Sequence, residues 1–141
     1  MIAAVRSTPA RQRDPRRVAA EARGRLAELV AAASLVARGY RILARRCKTP
    51  SGEIDLVAVR GGRLAFVEVK QRATWAQAEI AMSVRQTDRL HAAAAGWVAA
   101  RPYYRGHERG FDSVLIVPWC LPSYRRDALR PEVTSRVWVW G

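Results

Sequence analysis

The sequence is poor in cysteine and histidine, and both shortages narrow the classes of protein to which it can belong. The two cysteines, Cys47 and Cys120, are too few for a disulfide framework or a four-cysteine zinc site. Neither histidine, His91 or His107, has neighbours in the sequence that suit a histidine-based nuclease. We interpret the cysteines as free thiols in a reducing compartment and predict a cytoplasmic protein.

The sequence also lacks a hydrophobic run long enough to cross a membrane, which takes about 20 apolar residues. Residues 29–37 form an uncharged run, but Glu21 and Glu28 precede it and the run continues an amphipathic helical pattern. Half of the 141 residues are hydrophobic, so we expect one globular domain with one core. We predict no membrane partner.

Acidic residues are scarce relative to basic ones, with 12 Asp and Glu against 25 Lys and Arg and a net charge of +13. Lys48 and Lys70 are the only lysines, so nearly all of the positive charge is arginine. Arginine favours bidentate contacts with phosphate, and an excess of positive charge favours a polyanionic partner. The composition therefore predicts a nucleic-acid partner, but it does not distinguish DNA from RNA.

The most informative pattern is a predicted β-hairpin. Residues 52–59 and 63–70 are two apolar runs joined by Gly61-Gly62, which is a strong hairpin signal. If Arg60 and Arg63 flank the turn as a pair, the numbers of paired residues sum to 123. Asp55 then lies opposite Glu68, and Glu53 opposite Lys70. Because side chains alternate between the faces of a strand, we expect these four residues to share one face.

Two directly opposed carboxylates repel each other, because their Cβ atoms lie about 5 Å apart. A solvated surface carrying mixed charge is one explanation. However, the rest of both faces of the hairpin is apolar, which is typical of a sheet covered on both sides. Charges at the end of a buried sheet need a partner, and a hard divalent cation such as Mg²⁺ binds carboxylate oxygens. The pattern therefore indicates a metal site.

The order of predicted elements is α-β-β-β-α-β, with a further strand at residues 133–140. Asp14-Pro15 starts the first helix and Gly39 ends it. Strands follow at residues 40–45, 52–59 and 63–70, a helix at 77–100 and a strand at 111–117, with a loop predicted at 118–131. We predict a basic flexible arm at residues 1–13 and one α/β domain at residues 14–141, with a mixed sheet and helices on both faces.

The hairpin residues resemble a known pattern. Asp55, followed on the next strand by Glu68-Val69-Lys70, resembles the PD-(D/E)xK nuclease superfamily, although Ile54 replaces its proline. The chain is more similar still to the bacterial YraN-like family, described as having a Holliday junction resolvase-like endonuclease fold. The positions that carry this similarity lie within residues 15–118: Glu28, Gly39, Tyr40, residues 52–57, residues 66–70, Arg89, Leu90, Phe111 and Asp112.

The resemblance implies a restriction-endonuclease-like fold and a set of site residues. Asp55 and Glu68 match metal-binding acids, the carbonyl of Val69 matches a backbone ligand, and Lys70 matches the lysine that positions or activates water. Three further residues match positions at or near the site: Glu28 as a first-helix acid that reaches the same site and binds the metal there, Gln86 as a catalytic-site residue on the second helix, and Asp112 in a supporting role with no firm assignment. Glu53, opposite Lys70, is a second supporting residue. An oxygen site of this kind favours Mg²⁺ or Mn²⁺.

Nucleic-acid contacts are predicted at two further places. Arg85 and Arg89 lie one helical turn apart and suit backbone phosphates, although a solvated helix face suits them equally. A second group interleaves aromatic and basic residues, which is typical of a nucleic-acid-binding edge: Tyr103, Tyr104, Arg105 and Arg109.

The leading hypothesis is a Mg²⁺-dependent endodeoxyribonuclease that acts on DNA, including branched or damaged DNA, in repair or recombination. The alternatives are a non-catalytic nucleic-acid-binding module that retains the nuclease fold, and an RNA- or ribosome-associated basic protein. Fold resemblance alone does not separate these alternatives. The resemblance also allows a homodimer.

Overall fold

The structure, a computed structural model, describes residues 13–73 and 84–129 and shows a mixed α/β fold. The elements in chain order are α1 (Pro15–Ala37), β1 (Arg41–Thr49), β2 (Gly52–Arg60), β3 (Arg63–Gln71), α2 (Val84–Ala99), a short 3-10 helix (Pro102–Tyr104), β4 (Glu108–Ile116) and β5 (Ser123–Arg125). Three predicted segments lie outside the described residues: the N-terminal arm apart from Arg13, the helical residues 77–83 and the strand at 133–140.

Within the described residues, five strands form one sheet in the order β1-β2-β3-β4-β5. Neighbouring strands are antiparallel except β3 and β4, which are parallel and are connected by a crossover that contains α2. This mixed sheet confirms the predicted architecture and is consistent with a single α/β domain. The prediction was wrong at β5, which lies within the segment 118–131 that we expected to be a loop.

The helices lie on opposite faces of the sheet, as predicted. Leu35 and its neighbours on α1 pack on a core that includes Leu56 and Val67. On the other face, Trp97 and its neighbours on α2 pack on a core that includes Phe66. The sheet is therefore covered on both sides, which explains why β2 and β3 are apolar on both faces.

The boundaries of α1 follow from the residues at its two ends. The carboxylate of Asp14 accepts a hydrogen bond of 2.9 Å from the backbone N–H of Arg16, and Pro15 occupies the first helical position. Gly39 follows the C-terminal end with a φ of 88°, a left-handed conformation that glycine adopts without steric cost. Both predicted ends of the helix are confirmed. No helix in the described part of the chain is long and apolar enough to span a membrane.

The hairpin register is confirmed from Leu56↔Val67 to Arg60↔Arg63, pairs whose residue numbers sum to 123. The predicted alternation is wrong at one point. Ile54 was expected on the same face as Leu56, but it packs in the α2-side core, whereas Leu56 packs on the α1 side. Alternation is therefore interrupted between these residues, at Asp55, where the pairing with β3 stops.

Candidate functional site

Two small clefts open where β2 and β3 lie between the helices. The first, which we call the α1 cleft, has a volume of about 210 Å³ and is lined by Gly24, Ala27, Glu28, Arg46, Glu53, Asp55, Val69 and Gln71. The second, the α2 cleft, has a volume of about 190 Å³ and is lined by Gly52, Glu53, Glu68, Gln86, Arg89 and Leu90. Because Glu53 lines both clefts, we treat them as two sides of one site.

Asp55 is the carboxylate at the centre of this site. Its Oδ2 accepts a hydrogen bond of 2.8 Å from the backbone N–H of Val69, just beyond the last paired residues of β2 and β3. Burial raises the pKa of Asp55 to about 7, and the negative charge of Glu68 adds to the effect. The Val69 hydrogen bond acts in the opposite direction, and the charge of Glu28 raises the pKa further. Asp55 therefore holds its negative charge weakly.

Glu68 provides the second carboxylate, and its contacts join Asp55 to Lys70. The negative charge of Glu68 and its side-chain interaction with Asp55 both raise the pKa of Asp55, so the two carboxyl groups lie near each other. Lys70 Nζ lies 3.2 Å from Glu68 Oε1, and both side chains are about one-fifth exposed. The structure therefore brings together the three residues that carry the predicted acid, acid and lysine pattern.

The expectation that Glu53, Asp55, Glu68 and Lys70 share a single face is wrong in detail. Asp55 lines the α1 cleft, whereas Glu68 lines the α2 cleft. The physical reason is the interruption of β2 at Asp55, which turns its side chain out of strict alternation. The two carboxyl groups meet at the end of the ladder rather than as a directly opposed pair within it.

Glu28 lies in the α1 cleft with Asp55, but it has a basic partner of its own. Arg46 Nε lies 2.5 Å from Glu28 Oε2 in a salt bridge between β1 and α1. The hydrogen bond to Glu28 raises the pKa of Arg46, and the charges of Glu53 and Asp55 contribute in the same direction. Arg46 is thus a cation close to the acidic residues on this side, and no pattern in the sequence indicated it.

The backbone of Arg46 explains why no sequence signal identified it. Its φ is 49°, in the left-handed region that a non-glycine residue rarely adopts. That conformation lies within β1, where a strand of ordinary geometry would point consecutive side chains to opposite faces. Neither composition nor periodicity predicts such an exception.

The α2 cleft brings two other predicted residues to Glu68. Gln86 and Arg89, from the first turns of α2, line the cleft beside it. A Cβ atom on Gly52 would lie 3.9 Å from the Cβ of Arg89, so the start of β2 packs closely on the helix. Arg85 is exposed on the same helix and does not line either cleft.

The aromatic and basic residues after α2 lie at the other end of the sheet. Parallel pairing of Arg63 with Glu108 places the start of β4 beside the start of β3, whereas Lys70 pairs with Leu115. The separation is roughly 23 Å at about 3.3 Å per residue. The structure therefore does not bring this group to the carboxylates: Tyr103, Tyr104, Arg105 and Arg109. Tyr104 instead packs against the core residue Trp97 with the two rings tilted, and the ring centroids are 5.3 Å apart.

Asp112 lies in an internal ion-pair network on the α1 side. Arg63 donates two hydrogen bonds of 2.7 Å to its carboxylate, and the Tyr124 hydroxyl donates a short one. Arg63 also contacts Tyr40, and a salt bridge of 3.0 Å joins it to Asp127. The network ties β3 and β4 to β5 and the turn after it, so the structure gives Asp112 a role in packing.

The charges in this network stabilise one another. Burial acts to raise the pKa of Asp112, but hydrogen bonds from Arg63, the Asp127 backbone and Tyr124 outweigh it and hold the pKa below its usual value. The hydrogen bonds to Asp112 raise the pKa of Arg63 in turn. Sequence reasoning missed this cluster because it depends on the parallel pairing of distant strands, which no local pattern encodes.

The oxygen atoms at Asp55 and Glu68 define what the site can hold. Two carboxylates and the main-chain carbonyl of Val69 are hard donors of the kind that Mg²⁺ and Mn²⁺ prefer. Within residues 13–73 and 84–129, no group of three or more His, Cys, Asp or Glu side chains converges to bind an ion. The donor set fits a hard cation bound by two side chains, and the predicted metal ligation by Glu28 stays a prediction.

Comparisons with known proteins identify relatives over most of the chain. The model of the uncharacterised protein family UPF0102 matches residues 27–116. A UPF0102 protein of Bradyrhizobium sp. (strain ORS 278) is 48% identical over 116 residues, covering 82% of each chain. One from Rhodopseudomonas palustris (strain BisB5) is 52% identical over 110 residues, 78% of this chain and 84% of the relative. One from Maricaulis maris (strain MCS10) is 49% identical over 117 residues, which is 83% of this chain and 92% of the relative.

Proposed function

The chain belongs to the UPF0102 (YraN) family, which confirms the resemblance drawn from its sequence, and we propose that it is a metal-dependent endonuclease acting on DNA. The proposal is carried by the proximity of the Asp55 and Glu68 carboxyl groups, which raises the pKa of Asp55, with Lys70 Nζ 3.2 Å from Glu68 Oε1. Burying two acids side by side is unfavourable unless a cation offsets their charge.

Each of these residues has a role that its position supports. Asp55 and Glu68 would hold the divalent cation, together with the Val69 carbonyl. When bound, the cation supplies Lewis-acid stabilisation of negative charge and a more acidic water. Lys70 would orient the attacking water and stabilise charge on the phosphate, because it lies beside the second carboxylate. Gln86 and Arg89 would position the substrate strand from the α2 side.

A cleavage assay tests the proposal. Purified protein is incubated with labelled linear, forked and four-way DNA in Mg²⁺, in Mn²⁺ and in chelator, beside Asp55→Asn and Lys70→Met. We expect metal-dependent cleavage by the wild type and a loss of at least about 100-fold in each variant. Asp88→Asn serves as the matched control, because Asp88 is exposed on α2 and lines neither cleft.

Cleavage by Asp55→Asn at the wild-type rate would overturn the assignment of the site. A wild type that leaves all three DNAs intact in both metals would overturn the enzymatic proposal. A contaminating nuclease would cut DNA equally in all preparations. Loss of cleavage in both variants, purified in the same way, therefore shows that the activity belongs to this protein.

A non-catalytic nucleic-acid-binding module is the second candidate, and one observation favours it. Glu28 and Glu68 each already have a basic partner, Arg46 and Lys70, so the protein itself offsets part of the acidic charge. This candidate predicts binding of DNA or RNA without cleavage in any metal. The net charge of +13 supports both candidates equally, because it attracts any polyanion.

A further inference from the structure

A groove next to the α1 cleft contains three arginines that sequence analysis did not select. It has a volume of about 360 Å³ and is lined by Arg25, Glu28, Leu29, Arg45 and Arg46. Arg25 comes from α1 and the other two arginines from β1. We call this the arginine groove. Three guanidinium groups face one carboxylate there, so the groove is electropositive.

The geometry of β1 allows two consecutive arginines to line the same groove. Neighbouring side chains on a regular strand point to opposite faces, but the left-handed backbone at Arg46 breaks that rule. Strained backbone of this kind is concentrated at functional sites, since the surrounding structure has to maintain it. The conformation thus points to a role for the paired side chains beyond packing. Both arginines are exposed, so they can reach a ligand.

Arg46 and Glu28 connect the arginine groove to the carboxylate site. Both residues line the groove, and both also line the α1 cleft beside Asp55. Glu28 does not repel an anion strongly, because Arg46 lies 2.5 Å from it. A continuous path therefore runs from Arg25 and Arg45, past Arg46, to Asp55.

We propose that the arginine groove binds the phosphodiester backbone of the DNA strand that enters the Asp55–Glu68 site. Phosphate oxygens suit guanidinium groups, which donate paired hydrogen bonds in a planar fork. Contacts of this type position a strand without reading its sequence. The proposal rests on the proposed function for the identity of the ligand. It adds a binding surface on the α1 side, opposite the previously predicted Arg85 and Arg89.

The test is equilibrium binding of fluorescein-labelled forked DNA, measured by fluorescence anisotropy in chelator so that no strand is cut. Arg45→Gln and Arg46→Gln should each weaken binding on the order of tenfold and reduce the slope of log affinity against log salt by about 1. Arg41→Gln is the matched control, because it removes the same charge from β1 roughly 15 Å away and lines neither the groove nor the clefts. It should change affinity by less than about twofold.

A second variant separates the arginine side chain from its backbone strain. Because glycine adopts the left-handed conformation without steric cost, Arg46→Gly removes both the guanidinium group and the backbone strain. It should bind DNA as weakly as Arg46→Gln, and thermal unfolding should show that it remains folded. Groove variants that bind like Arg41→Gln would overturn the groove proposal. Weakened binding in a protein that cuts no DNA would instead retain the groove and overturn the enzymatic function. If the wild type cuts DNA and the groove variants bind DNA as tightly as the wild type, the enzymatic function is retained and the groove proposal is overturned.

Discussion

Asp55 shows how much of the site depends on single residues. Its carboxyl group owes its surroundings to the fold, because the end of the β2–β3 ladder brings it to Glu68 and to the Val69 backbone. The hairpin signal predicted the meeting of the two acids, since the Gly61-Gly62 turn sets the register locally. It did not predict Arg46, whose left-handed backbone places a cation beside them.

The raised pKa of Asp55 predicts a pH-dependent stability. Between its ordinary pKa near 4 and its folded pKa of about 7, the folded protein binds the proton more tightly than the unfolded chain. Stability from this group is therefore present at low pH and is lost as the pH rises through about 7. In metal-free buffer, urea unfolding should show Asp55→Asn gaining on the order of 4 kcal/mol relative to the wild type between pH 4 and pH 8.

The substitution Asp55→Asn removes the negative charge but keeps the shape of the side chain, because the amide oxygen of Asn can still accept the hydrogen bond from the Val69 backbone N–H. The Asp88→Asn control should follow the wild-type pH profile, since Asp88 is exposed. Parallel profiles for wild type and Asp55→Asn would contradict the account of this carboxyl group.

Asp112 leads to a prediction about packing rather than chemistry. Asp112→Ala leaves Arg63 buried without its main partner, so the free energy of unfolding should fall by about 3–5 kcal/mol. Replacing both residues, as Arg63→Met with Asp112→Leu, should cost less than Asp112→Ala alone. Urea unfolding measures all three proteins. A cost below about 1 kcal/mol for Asp112→Ala would show that the ion pair contributes little.

At the scale of elements, the register of the parallel contact between β3 and β4 is the feature that local sequence could not predict. The hairpin and the first helix were predicted from turn and capping residues a few positions apart. In contrast, the pairing of Ala65 with Gly110 joins strands separated by the α2 crossover. Unless that pairing is known, the sequence does not indicate that Arg63 and Asp112 form an ion pair. It also predicts a loop where β5 lies.

Gly110 provides a test of this close approach. A Cβ atom built there would lie 2.1 Å from Arg63 Nη2, so Gly110→Ala must displace the buried guanidinium. We expect a loss of about 1–3 kcal/mol in unfolding free energy. Gly106→Ala is the control, because nothing lies within 4 Å of its added Cβ, and it should change stability little. Equal effects of the two substitutions would contradict the described packing.

At the scale of the whole molecule, the basic charge and the acidic site are spatially organised. The net charge of +13 attracts a polyanion, while the two carboxylates lie at one end of the sheet between the helices. The composition predicted the attraction of a polyanion, and the hairpin pattern predicted that the two carboxylates lie together. The arrangement of arginines around the site required the fold, because α1 and β1 contribute them from separate parts of the chain.

Metal binding tests the central claim most directly. Titration of the metal-free protein with Mn²⁺, followed by electron paramagnetic resonance of the free ion, should show saturable binding at neutral pH. The affinity should fall at least about tenfold in Asp55→Asn and in Glu68→Gln, since each variant loses a charged oxygen ligand, and stay unchanged in Asp88→Asn. If Asp55→Asn binds Mn²⁺ as tightly as the wild type, the paired carboxylates are not a metal site.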